Sequence, residues 1–122
     1  EVLIPEHHLC RIVDLAVEKM NPNILSSLHS GGGRPPYHPK MMLKVVLYSY
    51  INRIYSSRQM EKQLRENIYF MWLSGSQTPD FRTINRFRSN RIKVVIYETY
   101  FSIVDLLSQD GRNLLKIRPK VG

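Results

Sequence analysis

Apolar positions recur at intervals of three and four along most of the chain, and no run alternates long enough to make a convincing strand. Between Pro5 and Met20 the residues Leu9, Ile12, Val13, Ala16 and Met20 mark one face of a helix, with Pro5 acceptable near the first turn. Asn21 and Pro22 break it. Ile24 to Leu28 adds a short turn of helix before the run SGGGRPP at 30–36, which cannot hold one.

Pro39 then supplies a helix start. Leu43, Val46, Leu47, Tyr50, Ile51 and Ile54 fall on one side, and Lys40, Lys44, Tyr48 and Asn52 form the opposite stripe. Met42 and Val45 leave little of this helix polar, so it is expected to be the central element of the core. Ser56 with Gln59 resembles a capping box that opens the next helix, Met60 and Leu64 facing inward and Arg58, Lys62 and Arg65 outward. The apolar run IYFMWL at 68–73 is read as a short helix, because its neighbours are helical and no partner strand is visible. A turn at 75–77 follows.

A last long helix is expected over about 91–108. Ile92, Ile96, Thr99, Ile103 and Leu106 form one stripe, and Val94, Tyr97, Phe101 and Val104 form a second beside it. Two apolar stripes on one helix need two partners, the core on one side and another subunit on the other. Asp110 and Gly111 stop the helix. The pattern predicts an all-α fold, a compact bundle of about five or six helices, with a helical domain over 1–110 and a tail over 111–122.

Charge adds a partner class. The 122 residues carry a formal net charge of +8, which favours an anionic partner, nucleic acid or an acidic membrane surface. No Asp or Glu occurs between Glu18 and Glu61, a span that holds Arg34, Lys40, Lys44, Arg53 and Arg58. A second basic stretch holds Arg82, Arg86, Arg88, Arg91 and Lys93, with Asp80 its only nearby acid. The positive potential is therefore expected to be regional. The single cysteine, Cys10, excludes an internal disulfide framework and agrees with a reducing compartment. No apolar run approaches the roughly 18 residues of a membrane span, and EVLIPEHH lacks the features of a signal peptide, so the chain reads as cytoplasmic.

The segment TPDFRTINRFRS, 78–89, concentrates the candidate chemistry. Thr78 can cap a helix, Pro79 suits its first position, and Asp80 suits the positive end of the helix dipole. Phe81, Ile84 and Phe87 share a face, which leaves Arg82, Thr83, Asn85, Arg86 and Ser89 outward. Arginine can bond guanine or phosphate bidentately, asparagine can read adenine, and threonine can touch phosphate or a thymine methyl group. With the preceding helix and a tight turn, this would form a helix-turn-helix-like unit. Arg82, Thr83, Asn85 and Arg86 are then expected to approach a groove, and Arg34, Lys40, Arg58, Arg88 and Arg91 to contact phosphates. An ordinary solvated helix with arginines outside competes with this reading, and the acid-free stretch tips the balance toward nucleic acid. The interleaved Tyr and Phe residues sit at core spacing, which favours packing over base stacking.

Other chemistries fit less well. His7, His8 and Cys10 lie close together and His29 and His38 flank the glycine loop. Adjacent histidines cannot face the same way on a helix and no second cysteine completes a structural zinc set, so no metal or cofactor is expected. The GGGRPP loop lacks the Gly-Lys-Ser/Thr ending of a phosphate loop and reads as a connector. Asp14 and Glu18, one turn apart, are explained by an outward face rather than by catalysis.

Residues 31–89, through GRPPYHP, KMMLKVVLYSY, IYSSRQMEKQLRENIYFMWLSG and PDFRTINRFR, resemble the N-terminal domain of bacterial insertion-sequence transposases of the acidic-triad (DDE) class, the IS-five and related families. The resemblance implies a domain that binds the terminal inverted repeats of the element, as double-stranded DNA, and helps to assemble subunits. It also implies a downstream ribonuclease-H-like domain that cuts and joins DNA with a divalent metal, magnesium. Asp110-Gly111 echoes that domain's first motif, but Arg112 stands where threonine is expected, and no acid follows Asp110. Two-metal phosphoryl transfer needs several converging carboxylates. This chain is accordingly expected to bind DNA but not to cleave or join it. The competing expectation is a dimerisation module that pairs through the 91–108 helix and has little DNA affinity of its own.

Overall fold

The segment PKMMLKVVLYSYI offers a helix almost no wet side, so it must be covered from several directions at once. The computed structural model, which describes residues 5–28, 37–89 and 92–110, builds the covering from α-helices alone. These are α1 (Glu6–Glu18), α2 (Pro22–Leu28), α3 (Pro39–Ile51), α4 (Ser57–Glu66), α5 (Ile68–Ser74), α6 (Phe81–Arg88) and α7 (Ile92–Asp110). The expected short turn after Pro22 is a helix in its own right. It begins at Pro22 rather than Ile24, because Pro22 occupies the first turn and the Asn21 side chain accepts the Asn23 amide at 2.9 Å.

Helices α1, α5 and α7 all pack on α3. They bury Met41, Met42, Leu43, Val45, Val46, Leu47, Tyr48 and Ile51 on every side of it. Each such side chain is worth about 1.5–3 kcal/mol relative to exposure, which makes α3 the centre of the core. Tyr48 corrects the expected polar stripe. It is buried, meets Phe70 edge-on at 5.0 Å, and its hydroxyl donates to the Glu6 carboxylate on α1. Burial, and then the neighbouring Glu6, raises the phenol's pKa so far that the hydroxyl stays a donor.

The helix boundaries follow from side-chain caps. His38 Nδ1 accepts the Lys40 amide at 3.1 Å and starts α3, which gives that histidine a structural role. Arg53 ends α3 in the left-handed region (φ 62°), with the Ile54 amide returning to the Ser49 carbonyl at 2.8 Å. Ser56 caps α4 by accepting the Gln59 amide, as the capping-box spacing predicts. Asn67 alone joins α4 to α5. Its amide closes the last turn of α4 on Gln63, and its side chain accepts the amides of Tyr69 and Phe70.

On α7 the core stripe is Ile92, Ile96, Ile103 and Leu107. Leu106, expected inward, is 53% exposed, because the true helical phase brings Leu107 to the core instead. Most of the second stripe stays open: Val94, Tyr97 and Phe101 are 61%, 49% and 64% exposed, while Val104 is half-buried. Cys10 is buried, its thiol donating to the Tyr69 carbonyl at 3.6 Å, and burial pushes its pKa up to about 11. It is a packing residue. No helix among the described residues is long and apolar enough to cross a membrane.

Candidate nucleic-acid interface

Helix α6 is short, and an eight-residue helix is marginal without outside support. That support comes from the core, from a side-chain cap and from α4. Ile84 is fully buried and Phe87 packs beside it on the core. Asp80, rather than Thr78, is the cap. Its carboxylate accepts the Thr83 amide at 2.9 Å, and hydrogen bonds from Thr83, backbone and side chain, hold its pKa below the usual range. Pro79 lies outside the helix and is buried, so the expected first-position role passes to Phe81. The Phe81 amide donates at 2.9 Å to Glu61 of α4, whose second oxygen pairs with Arg65 at 3.1 Å. Two carboxylates therefore already occupy the N-terminal end of α6, where a phosphate would otherwise be attracted.

The helix before α6 in the chain is not its main packing partner. α6 packs mainly on α4 and then on α7, whereas α5, its predecessor in the chain, packs on α3, α4 and α1. The basic surface is thus shared between α4 and α6. On α6, Arg82, Asn85, Arg86 and Ser89 are exposed on one side, and Thr83 is half-buried on the flank, engaged with Asp80. On α4, Arg58 is exposed and its guanidinium lies 3.8 Å from the centre of the Phe81 ring. Arg82 reaches the same ring at 5.0 Å. One aromatic ring carries two guanidinium groups. Neither arginine is ion-paired among the described residues, although Arg82 lies close enough to Asp80 to help keep that carboxyl low.

The remaining candidates are committed elsewhere. Asn85 Oδ1 accepts the Ser57 hydroxyl at 2.6 Å, so half of the amide needed for bidentate adenine reading is already used. Arg88 turns inward and donates to the Tyr55 carbonyl at 2.7 Å and the Tyr50 hydroxyl at 3.4 Å. There it sits beside a tyrosine cluster in which Tyr50 meets Tyr55, Tyr97 and Tyr100 at 5.6–6.4 Å. Contacts among themselves and with Arg88 hold these rings, with Tyr55 and Tyr97 each about half exposed. Arg34 and Arg91 lie outside the described residues.

Lys40 and Lys44 change the charge picture most. Lys44 bridges Asp14 at 2.7 Å and Glu18 at 2.6 Å, and Lys40 reaches Glu18 at 3.3 Å. Burial alone would depress the Lys44 ammonium, but its hydrogen bonds with Asp14 and Glu18 more than offset that and raise its pKa. Hydrogen bonds from Lys44 and then Lys40 lower that of Glu18. Two cations of the stretch that is acid-free in sequence, Lys40 and Lys44, are therefore neutralised in space by α1. Lys62, exposed one turn beyond Arg58 on the same side of α4, joins the basic face; its i+4 spacing from Arg58 was the available signal.

Residues 1–90 match the family described as Transposase domain (DUF772). The chain belongs to this transposase-domain family. The matched span takes in α1–α6 and the whole α4–α6 surface, and leaves α7 outside it. Neither the comparison with curated proteins nor that with solved structures gives a match. Among the described residues of the transposase domain, no group of three or more His, Cys, Asp or Glu could hold a metal ion.

Proposed function

We propose that this transposase domain is the DNA-binding unit of an insertion-sequence transposase, gripping double-stranded DNA at the terminal inverted repeats through the α4–α6 face. The observation that carries the reading is the pair Arg58 and Arg82. Both stack on Phe81, both are exposed, and neither is neutralised by an ion pair, in contrast to Lys40 and Lys44. Stacking on one ring holds the two guanidiniums ready for adjacent phosphates at little entropic cost. Arg86, exposed on the same side, is the candidate base reader. The similarity of residues 31–89 to IS-five-type transposases of the DDE class supports this role. Cutting and joining, with magnesium, belong in this reading to a ribonuclease-H-like domain and not to these helices.

The test is a binding titration of the chain against terminal-repeat and scrambled duplexes at two salt concentrations. Arg58→Ala and Arg82→Ala should each weaken binding to all duplexes and reduce the salt slope by about one unit. Arg86→Ala should cost about 1–3 kcal/mol of discrimination between the duplexes. Lys40→Ala should have a smaller effect than Arg58→Ala, because its charge is already compensated. Binding without salt dependence, or loss on Lys40→Ala exceeding that on Arg58→Ala and Arg82→Ala, would overturn the proposal.

A further inference from the structure

The uncovered side of α7 has a register that the core stripe does not explain. Val94, Tyr97, Phe101 and Val104 are spaced three, four and three residues apart, the a and d positions of two successive heptads. The first three are about half or more exposed in a single copy, an apolar seam that Tyr50 touches only at Tyr97 and that is otherwise largely open among the described residues. With Val94 at a, the residue before it, Lys93, falls at g and Glu98 at e. Both are exposed, and neither is ion-paired among the described residues. Five residues apart and on opposite edges of the seam, they are badly placed to pair with each other on one helix.

We propose that α7 pairs in parallel with α7 of a second copy of this chain, burying this seam, with Lys93 of each copy meeting the partner's Glu98. In a parallel two-stranded coiled coil a g residue faces the e residue five positions later on the partner, which is the Lys93 to Glu98 spacing. Two-fold symmetry makes the contact twice. An antiparallel pair would instead set Glu98 of one copy beside Asp105 of the other, carboxylate against carboxylate, so charge selects both the occupant and the direction. With only two heptads, the interface is smaller than the roughly 20–30 residues a side of a standard one, so association is weak and concentration-dependent. The proposal does not depend on DNA binding, which can be measured below the dimerisation range.

Sedimentation of the full 122-residue chain over roughly a hundredfold range of concentration should show the mass rising from monomer toward dimer. Phe101→Glu should hold it monomeric with unchanged circular dichroism. Lys93→Glu should weaken the dimer about three- to tenfold, and adding Glu98→Lys should restore it. Val94→Cys should crosslink to a covalent dimer on oxidation, since a parallel seam brings position 94 of the two copies together, whereas Cys10 in the parent chain is buried. If Phe101→Glu disturbs folding, the charge swap and the crosslink carry the test, both being at exposed positions. A monomer throughout the range, a dimer that Val94→Cys does not crosslink, or a charge swap that fails to restore association would each refute the proposal.

Discussion

Asn85 is where base reading and structural bracing make opposite demands, and a double-mutant cycle with Ser57 separates them. Ser57 is 5% exposed and donates its hydroxyl to Asn85 Oδ1 at 2.6 Å, while Asn85 itself faces solvent. Asn85→Ala strands a buried hydroxyl, which costs about 1–3 kcal/mol. Ser57→Ala leaves an amide that water can satisfy and should cost less, about 0.5–1.5 kcal/mol. The two losses share one hydrogen bond, so the double variant should fall short of their sum by about 1 kcal/mol. Urea unfolding of the four proteins, followed by circular dichroism with a common m-value, measures each term. The decisive comparison is the order of the single variants together with the coupling. Coupling indistinguishable from zero, or a Ser57→Ala cost as large as that of Asn85→Ala, would rule out the Ser57–Asn85 brace and return Asn85 to the solvent as a free reading group.

Three further outcomes follow from the packing and the caps. Ile84→Ala should destabilise the domain by about 2–5 kcal/mol, seen as a lower urea midpoint, because Ile84 is fully buried beneath α6. Arg53→Gly should stabilise by up to about 1 kcal/mol by relieving a left-handed residue that carries a Cβ, provided the loss exceeds glycine's extra unfolded-state entropy; a lower melting temperature would contradict it. Glu18 and Asp80 both have lowered pKa values in the fold, so their contributions are present above the ordinary values of 4.5 and 3.8 and are lost as pH falls through the folded ones. The melting temperature should therefore drop below about pH 4.5, and Lys44→Met should flatten the part due to Glu18 while leaving that due to Asp80.

The periodic pattern made the all-α architecture legible, including the central place of α3 and the two stripes of α7, because these depend on local spacing. What escaped were choices made between elements. Tyr48 shares a helical stripe with Lys40, Lys44 and Asn52, and nothing in that spacing tells that α1 and α5 close over it while Lys44 finds Asp14 and Glu18. Glu61 reads as a solvated helix residue, yet it caps a helix twenty positions later. Thr78, Pro79 and Asp80 were all plausible helix-start residues, and the cap fell to the one whose carboxylate reaches Thr83. In the candidate interface the exposed side of α6 followed from periodicity. The inward turn of Arg88 and the stacking of Arg58 on Phe81 required contacts across 33 and 23 intervening steps of sequence, which spacing cannot encode.

The single-residue joint at Asn67 bears on which lengths of chain this domain tolerates. With the amide of Asn67 closing α4 and its side chain opening α5, there is no slack between the two helices. One inserted residue there would shift the phase of α4 against α5 by about 100° and turn the buried Phe70 and Leu73 of α5 away from the core. The exposed pair Gln77 and Thr78, between the Gly75–Ser76 cap of α5 and the Pro79–Asp80 start of α6, is by contrast a place where a residue can be gained at less cost to either helix. Natural length variation among transposase domains of this kind should therefore collect around 77–78 and spare the Asn67 elbow.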